Sequence, residues 1–310
     1  MVHVNESAAR NVALTAVTPI LWGTTYYATT EFLPDDRPLL AGTLRALPAG
    51  LLLFFVAGRV LPRGEWWWKA TVLGVLNIGA FFPLLFLGAY RLPGGVAASV
   101  GAVQPVIAAA LAAVLIGERF GVVNVVSGVL GAIGVGLLVL RNEIPLDGLG
   151  LAAALAGTVS MASGVVLTRK WGRPVSLLAF TSWQLLSGGA LLVPVALAVE
   201  GLPPDLTARN IAGYGWLTLV GTALAYSLWF RGIGKLPVAA TSVLGLLTPV
   251  MAAIIGWFAL DQSLRPIQFV GVAAILASVG VIQWSSARSR SHAAVAATPP
   301  VVIVPVATGR

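Results

Sequence analysis

The chain has 310 residues, of which 58% are hydrophobic and only 10% are charged, and its mean hydropathy is +0.92. One water-soluble core cannot bury so large an apolar share, so the composition excludes a soluble globular protein and indicates an integral membrane protein. The net charge of +8 does not indicate a nucleic-acid partner, because most of the basic residues lie in loops on one side of the predicted membrane.

Ten continuous apolar runs are each long enough, at about 20 residues, to cross a bilayer as a helix. They do not show the alternating segments of about ten residues that a β-barrel needs. The predicted spans are residues 11–30, 38–58, 69–90, 93–116, 122–140, 148–168, 175–199, 211–231, 237–260 and 265–284. We expect residues 1–10 to form a cytoplasmic segment without a cleaved signal, and residues 285–310 to form a flexible cytoplasmic tail.

Spans one and three carry aromatic and polar residues inside the membrane. Trp22 and Tyr26 are four residues apart on one face of span one, and Asn77 and Phe81 lie in span three. Aromatic walls with a few hydrogen-bonding groups are the usual composition of a small-molecule site. We therefore interpret these residues as candidates for the wall of an internal cavity, and helix packing is the alternative for each.

Arg45 lies about eight residues into span two and is the only basic residue well inside the predicted hydrocarbon region. An ionisable group at this depth is costly and usually functional. The guanidinium fork matches the two oxygens of a carboxylate or phosphate, so Arg45 is a candidate substrate-binding residue. The alternative is a structural bond to a helix-end carbonyl or to an acid such as Glu118.

Spans four and nine share a pattern in which a glycine and a polar residue precede a proline. The residues are Gly101, Gln104 and Pro105 in span four, and Gly245, Thr248 and Pro249 in span nine. Proline removes a backbone hydrogen bond and interrupts a helix, and paired interruptions in two halves of a transporter point to a central site. We predict a cavity between these spans, with the glycines as hinges; a kink that only shapes each helix is the alternative.

Spans seven and eight add further candidates for the cavity wall. Trp183 and Gln184 lie in span seven, and Tyr226 lies in span eight. Gln184 is near the place in the second half that corresponds to Arg45. Because Gln184 is uncharged, an anion site at Arg45 is predicted to be asymmetric.

The two halves of the sequence are related by a repeat. The stretch from Leu92 to Gly136 aligns without a gap on Leu236 to Gly280, at a constant offset of 144 residues. A unit with five crossings ends on the side opposite its start, so its copy must be inverted, as in secondary transporters. We predict an all-α integral membrane fold of ten transmembrane helices in two inverted five-helix repeats, residues 11–140 and 141–284.

The distribution of basic residues predicts the orientation in the membrane. With the N-terminus in the cytoplasm, thirteen Lys and Arg residues lie inside and five lie outside. The excess follows the positive-inside rule and predicts that both termini are cytoplasmic.

Several sequence motifs together resemble those of the EamA-type branch of the drug/metabolite transporter superfamily over about residues 11–284. They are Trp22-Gly23-Thr24, the Leu-Pro pairs that precede spans four and nine, Gln104-Pro105-Val106, Thr248-Pro249-Val250 and Ile116-Gly117-Glu118. One departure is Asp261-Gln262, where the second repeat would end in Gly-Glu. A coupling mechanism that needs a glutamate in both repeats is therefore not supported.

The resemblance implies a transporter of the bacterial inner membrane that exports small metabolites, with amino acids as the leading class, by alternating access. Its partners would be a small-molecule substrate and membrane lipid, with no nucleic acid, in a monomer or homodimer. A flippase for lipid-linked intermediates and a carrier of nucleotide-sugar-like or other metabolites are the alternatives.

The sequence predicts neither an enzyme nor a cofactor. Cysteine is absent, both histidines lie in the terminal segments, and no acidic residue lies at the middle of a span. These absences exclude a Cys- or His-based metal site and an aspartyl protease site. They also favour uncoupled transport or exchange over a dedicated proton relay.

Overall fold

The computed structural model describes residues 2–92, 100–118, 121–139, 147–203, 205–259 and 265–296, which contain helices and no strand. The predicted all-α membrane fold is thereby confirmed. Within these ranges, seven helices are long and apolar enough to cross a membrane, and two shorter apolar helices accompany them. The predicted number of ten spans is not established by this count.

The helices follow the predicted spans, and three spans are divided. In the first half they are α1 (Val2–Phe32), α2 (Pro38–Val56), α3 (Trp66–Gly74), α4 (Phe81–Arg91), α5 (Gln104–Ile116) and α6 (Val122–Val139). In the second half they are α7 (Gly148–Trp171), α8 (Leu177–Val199), α9 (Ala208–Thr218), α10 (Ala225–Lys235), α11 (Val238–Leu244), α12 (Leu247–Ala259) and α13 (Pro266–Ala296).

The first and last helices extend beyond their predicted spans. Helix α1 begins at Val2, where the sequence predicts a separate segment up to residue 10. Helix α13 continues to Ala296, where the sequence predicts a flexible tail from residue 285. The rest of that tail, residues 297–310, lies outside the described residues, as do Asp261 and Gln262.

Spans three and eight each contain a short π-helical segment. Val75–Gly79 connects α3 to α4, and Leu219–Leu224 connects α9 to α10. The two segments begin 144 residues apart, at the same offset as the sequence repeat. A π turn shifts the backbone hydrogen bonds away from the α-helical pattern and is frequent at functional sites. The repeat therefore places the same backbone irregularity in both halves.

Polar residues at loop ends fix where several helices begin. The Asp147 carboxylate accepts a hydrogen bond of 2.6 Å from the Gly150 amide at the start of α7. This bond, followed by the Arg91 guanidinium, lowers the pKa of Asp147 below its ordinary value. Thr207 and Asn210 form a reciprocal capping box at the start of α9. Each cap satisfies amide groups that a helix leaves without an internal partner.

Close helix contacts across the two halves depend on small residues. A Cβ atom added to Gly188 of α8 would lie 2.4 Å from the Gly74 carbonyl oxygen of α3. One added to Gly134 of α6 would lie 2.8 Å from the Gly271 carbonyl oxygen of α13. Small residues let helix backbones approach closely in lipid, where apolar burial gives no net drive to associate. The two halves therefore pack as one interlocked bundle.

Candidate functional site

A cavity of about 140 Å³ lies among helices of both halves. It contains many of the residues that the sequence analysis selected. Those that line it are Trp22, Tyr26, Arg45, Phe81, Gly101, Gln104, Tyr226, Gly245, Thr248 and Pro249. Pro105, Asn77, Trp183 and Gln184 are not among its lining residues.

Four further polar or aromatic residues line the cavity and were missed by the sequence analysis: Thr25, Thr158, Trp229 and Ser242. Thr25 lies three residues after Trp22, and Trp229 lies three residues after Tyr226, so both share a helical face with a residue that was selected. That spacing was a usable signal. Ser242 lies just before a helix break that only the structure locates.

The helix breaks lie beside the cavity. Helix α11 ends at Leu244 and α12 begins at Leu247, so Gly245 lies between them. Pro249 lies in the first turn of α12, and Pro105 lies in the first turn of α5. A proline in a first turn removes no intrahelical hydrogen bond. The prolines thus start new helices rather than kink continuous ones.

Gly23 lets α1 approach the second break closely. A Cβ atom at this position would lie 2.4 Å from the Met251 Cβ and 3.0 Å from the Thr248 carbonyl oxygen. Gly23 of the Trp22-Gly23-Thr24 motif thereby brings the side chain of Trp22 to the cavity wall.

Arg45 is buried, with only 2% of its surface exposed, and two of its nitrogens are bound to the π-helical segment of span eight. Its Nε donates to the Thr222 hydroxyl at 2.7 Å, and its Nη2 donates to the Gly221 carbonyl oxygen at 2.9 Å. The guanidinium carbon lies 4.7 Å from the ring centre of Phe82. Arg45 therefore makes a structural bond to a backbone carbonyl, which lies within span eight and not at a helix end as the alternative stated.

The other structural partner considered for Arg45 is engaged elsewhere. Glu118 lies 3.8 Å from Arg169 and accepts a hydrogen bond of 3.2 Å from the Val238 amide. Arg169 also donates to the carbonyl oxygens of Ile233 and Gly234. Glu118 thus connects the end of α5 with α7 and with the start of α11, at one end of the bundle.

Five buried polar atoms of cavity-lining residues have no hydrogen-bond partner among the described protein atoms. They are Arg45 Nη1, Gln104 Nε2, Trp229 Nε1, Thr25 Oγ1 and Ser242 Oγ. The first three are donors only, and the two hydroxyls both donate and accept. Buried polar groups in folded proteins are normally paired, so this concentration at one cavity indicates a site for a polar ligand.

Aromatic rings form one wall of the cavity. The Trp22 ring centre lies 5.1 Å from those of both Tyr226 and Trp229. Trp22 Nε1 donates to the Gly221 carbonyl oxygen at 3.1 Å, which is the oxygen that Arg45 also uses. The aromatic wall and the guanidinium are therefore fixed by the same backbone group.

The remaining candidates lie in other contacts. Asn77 Nδ2 donates to Gln184 Oε1 at 2.8 Å, and both residues are fully buried. The hydroxyl of Tyr226 donates to the Asn77 carbonyl oxygen at 3.3 Å. Trp183 Nε1 donates to the Val60 carbonyl oxygen at 2.7 Å, in the loop between α2 and α3. These residues connect helices behind the cavity or at one end of the bundle.

Comparison with known proteins gives a consistent result. The sequence model of the EamA-like transporter family matches residues 10–140 and 148–284. Protein PecM of Dickeya dadantii is 46% identical over 274 residues, which cover 88% of this chain and 92% of PecM. A WAT1-related chloroplastic protein of Arabidopsis thaliana is 29% identical and aligns over 85% of this chain and 67% of its own length. The uncharacterized inner membrane transporter YedA of Escherichia coli is 24% identical, with coverages of 85% and 87%.

A solved crystal structure shares the fold. It superposes with a TM-score of 0.77 at 19% identity, and the match covers 90% of this chain and 98% of that chain.

Among the described residues, no group of three or more His, Cys, Asp or Glu side chains is placed to hold a metal ion.

Proposed function

Because the chain belongs to the EamA-like transporter family of the drug/metabolite transporter superfamily, we propose that it exports small carboxylate-bearing metabolites through the central cavity. Amino acids, the class that the sequence resemblance implies, are the first class to test. The proposed setting is the bacterial inner membrane, with both termini in the cytoplasm.

The observation that carries this proposal is the state of Arg45. Its side chain is 98% buried in the wall of the cavity, since only 2% is exposed, and no carboxylate of the described residues lies within ion-pair distance of it. A buried cation without a counter-ion is costly. A carboxylate ligand offsets that cost and gives Nη1 the acceptor it lacks in the protein.

The proposed mechanism is alternating access between the two repeats. The broken helix pair α11–α12 and the start of α5 at Gln104 lie at the cavity. Short helices that meet at a site can tilt independently on either side of it, whereas one continuous helix cannot. Helix breaks in corresponding places are a general feature of carriers whose two repeats move against each other around a central site.

Transport is proposed to be uncoupled or to operate as exchange. Glu118 and Glu200 both lie near helix ends, where Glu118 accepts a hydrogen bond from one backbone amide and Glu200 from two. A proton-coupled carrier needs an ionisable group within the membrane. Among the residues that line the cavity, none is Asp, Glu or His.

Counterflow in liposomes that contain the purified protein tests the proposal. The vesicles are preloaded in turn with neutral, aromatic, acidic and basic amino acids and with simple carboxylates, with and without an imposed pH gradient. We expect saturable exchange that does not depend on the gradient. The variant Arg45→Gln should lose it, while the matched control Arg209→Gln, an exposed arginine paired with Glu31 at 3.0 Å, should keep it. Absence of exchange for every carboxylate would contradict the proposal and direct attention to lipid-linked substrates.

A further inference from the structure

The unpaired groups of the cavity are predominantly hydrogen-bond donors. Arg45 Nη1, Gln104 Nε2 and Trp229 Nε1 have no partner among the described protein atoms, and none of these atoms can accept. Only the hydroxyls of Thr25 and Ser242 add acceptor capacity to this unpaired set. The lining residues Gln104, Thr158 and Thr248 add further neutral oxygens that can accept. The unpaired set itself matches a ligand with several acceptor atoms and few donors.

A free amino acid brings a charged ammonium with three donors, and the cavity offers that group little. No Asp or Glu is among the lining residues, so the acceptors available there are neutral. Backbone carbonyls at helix breaks often bind cations, but three of those at the α11–α12 break already accept one local bond each. Gly245, Leu246 and Thr248 amides donate to the Ser242, Val243 and Gly245 carbonyl oxygens at 3.0, 3.1 and 3.0 Å.

The ring of Trp22 does not provide a favourable place for the ammonium either. A ring face attracts a cation, but the Trp22 ring shares its hydrogen-bond acceptor with Arg45, a cation of the protein. Trp22 Nε1 and Arg45 Nη2 donate to the same Gly221 carbonyl oxygen, at 3.1 and 2.9 Å. A second cation over that ring would be repelled by the guanidinium in a medium of low dielectric constant.

We infer that the cavity selects small organic anions whose nitrogen, where one is present, is uncharged, and that it discriminates against zwitterionic amino acids. The preferred substrate class is a carboxylate with an apolar or aromatic body and further acceptor groups, such as an N-acylated amino acid. This inference rests on the proposed function and narrows its substrate class. The carboxylate binds Arg45, and an amide carbonyl accepts from the remaining donors.

Four compounds with the same benzyl group separate the possibilities: L-phenylalanine, N-acetyl-L-phenylalanine, 3-phenylpropionate and phenethylamine. Counterflow of each is measured in liposomes that contain the protein, at about pH 7, where the carboxylates are ionised and the amines are charged. Protein-free liposomes correct for passive permeation. We expect N-acetyl-L-phenylalanine and 3-phenylpropionate to exchange at least about tenfold faster than L-phenylalanine, and phenethylamine not to exchange.

The outcomes are distinguishable without any variant. Exchange of L-phenylalanine at a rate equal to or above that of its acetylated form overturns the inference and leaves the proposed export of carboxylates intact. Exchange of none of the three carboxylates contradicts the proposed function itself. As a second readout, N-acetyl-L-phenylalanine should raise the thermal unfolding midpoint of the wild type and of Arg209→Gln, but not that of Arg45→Gln.

Discussion

Two polar contacts occupy related places in the two halves, and they differ in whether they border the cavity. In one, Arg45 of α2 donates to Gly221 and Thr222 of the π-helical segment Leu219–Leu224. In the other, Gln184 of α8 accepts from Asn77 of the π-helical segment Val75–Gly79. The first contact borders the cavity, whereas the second does not.

The difference arises from the side chains that fill each contact. Asn77 packs so closely on α7 that a Cβ atom at Gly164 would lie 2.1 Å from its Oδ1. Gly221, which the offset of 144 residues relates to Asn77, has no side chain, and a Cβ atom there would have its nearest neighbour at 3.6 Å. The same backbone irregularity thus supports a closed contact in one half and an open, charged site in the other.

The variant Arg45→Gln makes the open contact resemble the closed one. Of the changes considered, it should have the largest effect, a loss of transport. We expect counterflow to fall by about 100-fold, which corresponds to roughly 2.7 kcal/mol, because the buried charge that binds the carboxylate is lost. The thermal unfolding midpoint in detergent should not fall, since an unpaired buried charge is removed. Transport at the wild-type rate would show that Arg45 has only a structural role.

A pair of glycine variants tests the packing difference. Gly164→Ala should lower the free energy of unfolding by about 2 kcal/mol, because overpacking a closed helix contact typically costs about 1–3 kcal/mol; the added Cβ would lie 2.1 Å from Asn77 Oδ1. Gly221→Ala should be tolerated, since its nearest contact is 3.6 Å away. Thermal unfolding of the two purified variants compares them directly, and equal destabilisation would contradict the distinction between the contacts.

Thr222→Val tests whether the π-helical segment positions Arg45. The change keeps the shape of the side chain but removes the hydroxyl that accepts from Arg45 Nε at 2.7 Å. A guanidinium held by one fewer hydrogen bond binds its ligand less tightly. The half-saturation concentration in counterflow should therefore rise by about tenfold, or roughly 1.4 kcal/mol. The maximal rate should change less. An unchanged half-saturation concentration would mean that Gly221 alone is sufficient to hold the guanidinium.

Gln184→Met tests the closed contact and should have the smallest effect. It leaves Asn77 without its 2.8 Å acceptor, and hydrogen bonds between membrane helices contribute about 0.6 kcal/mol on average and up to about 1.7 kcal/mol. We expect the free energy of unfolding to fall by about 1 kcal/mol with an unchanged half-saturation concentration. A large rise in that concentration would place Gln184 in the binding site after all.

The sequence was sufficient for the features that depend on local composition and on repetition. Apolar run lengths predicted a helical membrane protein. Pro105 and Pro249 predicted interruptions of two spans, and in the structure they lie in the first turns of α5 and α12. Arg45, Trp22 and Tyr226 were selected because polar and aromatic residues inside a span are costly or bulky, and all three line the cavity.

Only the tertiary structure decided which of these residues share a site. Arg45 bonds to a hydroxyl 177 residues away in the chain, and Trp22 bonds to a carbonyl 199 residues away, whereas Gln184 and Trp183 form contacts outside the cavity. Hydropathy and spacing report the face of a single helix but not its neighbour. The Gly221 carbonyl oxygen, which accepts from both donors, lies in a π-helical segment, and the sequence analysis predicted neither of the two π-helical segments.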